Sequence, residues 1–294
     1  MYKIIIVLSF YCFKLFGYQL DQDNISVIDF QKEINLNPNI EKKNEYHLQL
    51  GLGAGYGIVP HYPASNQSSS KSIILPIIIY RGDILKSDQE EGTRAELFRH
   101  QELDINLSFG ARFSNDSKDN IARTGMPNLN YIIEVGPSLN YKLFRERNKR
   151  MLTFQAPLRF TSETDFKYFN YLGLVFEPEI KLQMFNFLVD KLKYTSSLSV
   201  EFYSDRVANY FYEVESKYAT NDRFSYEAQP GLSTLTLGQS FTYDFNQFKL
   251  IAGVNFNNYS FSVNKNSPLY KSQNDYSVFT ALAWFFYSRN TLVE

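Results

Sequence analysis

The chain is nearly devoid of cysteine: Cys12 is the single one among 294 residues. No disulfide can close within it, and no thiolate metal site of the usual two-cysteine kind can form. Histidine is almost as scarce, with only His47, His61 and His100. The three share no metal-ligating spacing, and the chain carries no HExxH, CxxC, GxSxG or P-loop pattern. A formal net charge of -1 offers no general case for a nucleic-acid partner. Long apolar runs are missing too. Past the N-terminus no stretch approaches the roughly 18 apolar residues of a membrane-spanning helix, which excludes a helical membrane protein but leaves a β-barrel open.

Aromatic residues, in contrast, are abundant. They make up 17% of the chain, with 22 Tyr and 26 Phe against one Trp. That load suits long strands and the aromatic girdles of a membrane interface. The clearest stretch is ELDINLSFGARF, from Glu102 to Phe113. Leu103, Ile105, Leu107, Phe109, Ala111 and Phe113 fall on one parity, and Glu102, Asp104, Asn106, Ser108, Gly110 and Arg112 on the other. A strand reverses its side chains at every residue, so one face is apolar and one polar. The polar parity is too charged for a buried parallel strand, and the run is long enough for a tilted strand to cross a bilayer.

The N-terminus, MYKIIIVLSFYCFKLFG, places Lys3 ahead of an apolar core from Ile4 to Phe13. It reads as a signal peptide over residues 1–17, too short to span as a helix. Cys12 would leave with it. Residues 18–45 are polar and weakly periodic, and read as a periplasmic lead-in. Residues 46–287 read as the barrel and 288–294 as a C-terminal tail.

Alternating runs recur from Tyr46 onward. Gly51, Gly53 and Gly55 share the polar parity of the first run, where glycine leaves room for larger side chains inside a small barrel. Pro76, in the second run, predicts a bulge or bend. Ten strands are legible, and a hairpin hidden in the less regular Ile84–Arg99 stretch would make twelve. The connections at 82–98, 143–149, 185–191 and 244–247 fall at one end and are mostly short. Those at 58–71, 114–127, 161–170, 203–230 and 257–275 fall at the other and are mostly long. Short periplasmic turns, long external loops and an even strand count predict an all-β, single-chain transmembrane antiparallel barrel, monomeric in the outer membrane of a Gram-negative bacterium, among its lipid and lipopolysaccharide.

Candidate site residues follow from this frame. The inward parity carries Glu102, Asp104, Arg112, Glu134, Arg159 and Glu201, along with Glu177, Glu179, Lys181 and Lys249. In a barrel this small, paired charges filling the lumen are the default, and a narrow pore for small solutes or ions is the alternative. Arg145, Arg147, Lys149 and Arg150 crowd one periplasmic turn. A solvated charged turn is the default there, and contact with an acidic partner the alternative. The aromatic and acidic stretch from Asp205 to Tyr226 suits either protein or glycan contacts or a lid over the barrel mouth. His61 or His100 with Ser108 or Asp104 would be the only material for a rim hydrolase, and a triad is recognised by geometry rather than by composition. No cofactor, metal or catalytic residue is expected.

Several blocks resemble the MipA/OmpV family of outer-membrane proteins over Leu48 to Phe286. They are GLGAGYG at Gly51–Gly57, LPIIIYRGD at Leu75–Asp83, LSFGARF at Leu107–Phe113, EVGPSLNY at Glu134–Tyr141, YFYEV at Tyr210–Val214, FSYEAQPGL at Phe224–Leu232 and NSPLYKSQNDYSVFTALAWFF at Asn266–Phe286. Their order and spacing carry the likeness more than any one block does. The resemblance implies a scaffold or interaction protein, not an enzyme, that links the outer membrane to a lytic transglycosylase or a peptidoglycan synthase. One departure is the C-terminus. The family ends on a terminal aromatic, whereas here YSRNTLVE follows Phe286.

Overall fold

A computed structural model describes residues 45–81, 85–88, 92–100, 102–146 and 149–292, with side chains described for 48–77, 102–146 and 149–288. The signal-peptide and lead-in readings, the end of the LPIIIYRGD block and Arg147 fall at least partly outside these residues. So do the side chains of His47 and His100.

The chain folds as successive antiparallel strands. They are β1 (Glu45–Pro60), β2 (Ser68–Arg81), β3 (Leu85–Asp88), β4 (Gly92–His100), β5 (Leu103–Arg112), β6 (Tyr131–Glu146), β7 (Arg150–Thr164), β8 (Phe169–Phe176), β9 (Glu179–Met184), β10 (Leu192–Tyr203), β11 (Gly231–Phe245), β12 (Phe248–Asn258) and β13 (Asn274–Leu292). One helix, α1 (Asp205–Tyr212), stands between β10 and β11. The order across the sheet is β2-β1-β13-β12-β11-β10-β8-β7-β6-β5-β4-β3, and β9 continues β8 between β7 and β10. The break is at Glu177–Pro178, where proline removes a ladder donor. With β8 and β9 as one interrupted crossing, the described strands number twelve rather than ten, because β3 and β4 form the hairpin hidden in the irregular stretch.

Parity decides which way each strand faces. In β5 Asp104, Asn106 and Ser108 are buried, while Leu103, Ile105, Leu107 and Phe109 turn outward. β6 repeats this, with Glu134, Ser138, Asn140 and Lys142 inside and Leu139, Tyr141 and Leu143 outside. Ile74, Phe160, Leu198 and Trp284 are exposed on the outer wall, Ile74 by 71%. An apolar outside around a polar inside is the pattern of a strand-built membrane protein. Among the described residues the sheet path ends at β2 and β3. The sheet curls far enough for Lys71 Nζ in β2 to donate to the Ser114 carbonyl just past β5, at 2.9 Å.

The interior has two halves. Around β1, β2, β12 and β13 it is apolar, as Ile73, Leu75, Ile251, Phe279 and Ala281 pack together. Glycine permits this packing. A Cβ on Gly51 would lie 3.0 Å from the Phe285 ring, and one on Gly253 2.5 Å from the ring of Phe279. Around β5 to β11 the interior is polar and charged.

Three expectations change. Pro76 makes no bulge, since β1 and β2 stay in register from His47–Arg81 to Pro60–Ser68. β2 is a described edge of the sheet, where a missing N–H costs least. The loop expected over 161–170 is a turn at 165–168, because β7 runs on to Thr164. Residues 288–292, expected as a tail, extend β13, with Leu292 opposite Glu45.

One end of the wall carries a row of contacting aromatics across β11, β12 and β13. Successive ring pairs run from Tyr243 to Phe245, Phe248, Trp284 and Phe286. Phe187 joins Tyr194 and Phe241 in a neighbouring cluster. This is the short-turn end, and such a girdle marks a membrane–water boundary.

Candidate functional site

At the opposite end the long connections fold together into a lid. Its core joins Tyr62 and Ala64 between β1 and β2, Leu129 before β6, Val207, Ala208, Phe211 and Tyr212 of α1, Val214 and Ala228 after it, and Tyr259 and Leu269 between β12 and β13. The aromatic stretch from Asp205 to Tyr226 takes part in this lid. α1 presents Val207, Ala208, Phe211 and Tyr212 to this core at helical spacing. Tyr212 is 0% exposed.

Polar side chains tie the loops to one another. Tyr62 Oη donates to the Leu269 carbonyl at 2.8 Å, and Ser267 Oγ to the Tyr212 carbonyl at 2.7 Å. Arg123 Nη1 donates to the Phe211 carbonyl at 3.3 Å, with its guanidinium over the Tyr62 ring. Arg223 gathers the carbonyls of Tyr218, Ala122 and Thr124. Asn264 accepts from the Gln229 N–H and donates to its carbonyl, both at 2.8 Å. A guanidinium satisfying several loop carbonyls replaces the ladder that these segments lack.

His61 belongs to the lid. Its carbonyl accepts from Asn115 Nδ2 at 2.7 Å, and its Nδ1 lies 3.1 Å from Asn120 Nδ2. Burial holds the imidazole pKa below its usual value, and nearby Lys71 adds to the effect. Burial pushes the Tyr62 phenol up to about 12 and also raises Tyr210 and Tyr212. At neutral pH all these groups are uncharged, as a buried lid core requires.

Beneath the lid lies a cavity of about 300 Å³, bounded above by Tyr62, Tyr210 and Phe211 and walled by the polar half of the interior. Its upper level holds a charge network. Arg112 pairs with Glu201 and lies 3.6 Å from Glu134. Arg159 donates to Glu134 at 2.7 Å and to Glu177 at 2.5 Å. Tyr203 Oη donates to Glu201 at 2.7 Å. The Arg112 guanidinium faces the rings of Tyr203 and Phe211, at 5.8 and 5.6 Å, so the network touches the lid helix directly. Lower down, Lys142 pairs with Asp104 at 3.3 Å and Lys181 with Glu179 at 3.4 Å. Paired carboxylates and guanidinia fill this space and hold one another in place.

The structure therefore brings Arg112, Glu134, Arg159 and Glu201 together and leaves Asp104 well below them. Eight residues of β5 separate Asp104 from Arg112, roughly 26 Å along the strand. Asp104 and His61 thus stand at opposite ends of the lumen and form no catalytic pair. Glu102 is a correction. It is exposed in the turn before β5, and only its carbonyl is engaged, by the Lys142 N–H at 3.0 Å. The polar parity continues past the strand start, but the lumen does not. Glu177 and Tyr203 complete the network. Glu177 already lay on the polar parity, and Tyr203, two residues after Glu201, shares it although it is an aromatic.

At the short-turn end Arg145, Lys149 and Arg150 are exposed, and Glu146 binds both Lys149 and Arg150 at 2.8 Å. The neighbouring 185–191 turn docks on this one through the Phe185 N–H, which donates to the Lys149 carbonyl at 2.8 Å. Asn186, Leu188 and Lys191 there have φ of 51°, 65° and 66°. Left-handed backbone costs a non-glycine residue about 1–2 kcal/mol, least for asparagine.

Residues 52–286 match the family profile described as "MltA-interacting protein MipA". No curated protein matches the chain. Among solved structures, a bacterial polysaccharide outer membrane secretin is 10% identical, covering 81% of this chain and 99% of its own, with a TM-score of 0.36. The toluene transporter TbuX of Ralstonia pickettii is 9% identical, covering 87% and 90%, with a TM-score of 0.29. The outer membrane protease OmpT of Escherichia coli is 9% identical, covering 83% and 97%, with a TM-score of 0.27. Likenesses this distant carry no argument about mechanism. The profile spans most of the strands and every segment of the lid, and on that match the chain belongs to the MipA family.

Proposed function

We propose that the protein is a non-catalytic scaffold of the Gram-negative outer membrane, monomeric in its lipid and lipopolysaccharide, that holds a peptidoglycan-remodelling enzyme near the membrane from its periplasmic end. The observation that carries this reading is the obstructed lumen, in which the cavity left beneath the lid is about 300 Å³. The lid packs across one mouth, apolar side chains pack together on one side of the lumen and paired charges line the other. What remains available to a partner is surface, and the charged turn Arg145–Arg150 stands out at the short-turn end. The family description, MltA-interacting protein, supports a lytic transglycosylase as that partner.

A photo-cross-linking residue placed at Lys149 in intact cells tests the proposal. Capture of the lytic transglycosylase is the expected result. Absence of that adduct, together with stepwise conductance of the purified protein in planar bilayers, would refute the scaffold and make the cavity under the lid part of a pore.

A further inference from the structure

The turn between β9 and β10 is built in an uneconomical way. Three of its residues, Asn186, Leu188 and Lys191, sit in the left-handed region, where glycine would be at ease. Asn186 has a local reason to be there, since its Oδ1 accepts the Lys191 N–H at 2.9 Å. Leu188 is the centre of a three-residue turn closed by the Val189 N–H on the Phe187 carbonyl, a rare and strained geometry, and its own side chain takes no part in it. Its side chain is 83% exposed, and Val189 beside it is 55% exposed. A leucine held in a strained conformation with its side chain in the open stabilises nothing in its own chain. Strain of this kind persists where surrounding structure enforces it and function uses it.

The surroundings do enforce it. Phe187, one residue before, stacks on Tyr194 at 5.1 Å and approaches Phe241, pinning the turn to the aromatic girdle. The Phe187 N–H donates to the Leu192 carbonyl at 2.7 Å and the Val189 N–H to the Phe187 carbonyl at 2.8 Å, fixing the tip. Leu188 and Val189 therefore project beyond the girdle as a rigid apolar knob. Lys149 and Arg150 stand on the adjoining turn and Lys191 on the knob itself, against Glu146 and Asp190. Among the described residues of the two turns, these three basic groups face two acidic ones, before the exposed Arg145 is added.

We infer that Leu188 and Val189 form a docking knob for a periplasmic protein, one offering an apolar pocket with an acidic rim. This rests on the scaffold reading and locates its contact. A small, preorganised apolar anchor within a charged ring is the usual anatomy of an interaction hot spot. Inner-leaflet lipid is the other surface within reach. The girdle residue Phe187 already occupies the boundary, and the tip continues past it, which favours a protein.

The test uses the full-length protein in lipid nanodiscs and the purified lytic transglycosylase as probe. Leu188→Gly removes the anchor and relieves the backbone, so binding should weaken about tenfold to a hundredfold while thermal stability holds or rises. Leu188→Met should keep binding close to wild type. Binding by wild type and Leu188→Gly with equal affinity would overturn the knob and leave the scaffold standing. A wild-type protein that does not bind the enzyme at all would overturn both. A dye on the Val189→Cys thiol, quenched by lipid-phase quenchers in partner-free nanodiscs, would make the turn a membrane anchor and also overturn the inference.

Discussion

Truncating Phe211 should open the lid without unfolding the strands. The side chain is 3% exposed and reaches in two directions. Toward the barrel wall it meets the ring of Tyr203 at 5.6 Å and the Arg112 guanidinium at 5.6 Å. Within its own helix it meets Tyr210 at 5.3 Å and Tyr212 at 6.5 Å. A buried Phe→Ala change typically costs about 3–5 kcal/mol in all. Only the wall contacts are lost when the lid lifts, because Tyr210 and Tyr212 travel with Phe211. Assigning them a little over half of that total leaves about 2–3 kcal/mol for lid docking, which multiplies the open population by roughly thirty to a hundred and fifty. The assay uses the scarcity of cysteine. Ser199→Cys places a thiol on the cavity wall below the lid, and a polymer-linked maleimide added to intact cells reaches it only from outside. The labelling rate should rise by that factor in Phe211→Ala, with the heat-dependent gel shift of the folded barrel unchanged. Equal labelling rates in the two backgrounds would refute the lid as the closure.

Other outcomes follow from the same geometry. Ile105→Arg should cost about 2–4 kcal/mol near mid-membrane, read from urea titrations in lipid vesicles. Asp104→Asn should cost a comparable amount, because Lys142 loses the carboxylate 3.3 Å away, and Lys142→Met in the same chain should recover much of it. Gly136→Ala should prevent folding, since a Cβ there would sit 2.0 Å from the Leu158 carbonyl; a normal gel shift would contradict this. Acid should loosen the lid. The folded state holds the His61 pKa below its unfolded value of 6.5, so its contribution is complete above pH 6.5 and is lost as pH falls through the lower folded value. An environment-sensitive dye on the Ser199→Cys thiol should report opening in that window, and His61→Gln should flatten the response.

Much of this architecture was legible because one physical rule, the two-residue period of a strand, governs nearly all of it. Asp104, Glu134, Arg159 and Glu201 point inward as their parity requires. The rule fails where its premise does. Glu102 has the correct parity but precedes the first residue of β5, β3 has only four residues, and β4 shifts register between Glu96 and Phe98. The lid was the least legible part. Tyr62 and Leu269 are bonded across 207 residues, and nothing local in either loop announces the other. The tyrosines and arginines were visible as composition, but whether they face outward or fold inward depends on contacts between loops far apart in the chain. The knob at Leu188 was hidden for a different reason, because a positive φ at leucine has no sequence signature.

The pairing of β1 with β13 also determines how the molecule comes into being. Glu45 lies opposite Leu292, so β1 finds one of its neighbours only when β13 is made. β1 can zip onto β2 early, but its other edge, a long row of unpaired N–H and C=O groups, stays open until then. Joining segments this distant in the chain carries a loop-closure cost before any contact rewards it, which makes the seam a slow and late event. For that interval the polypeptide is a sheet with adhesive borders, prone to pairing with copies of itself. A chaperone that shields the two borders, or a machine that presents β13 to β1, would act on the step that sets the yield of the folded protein.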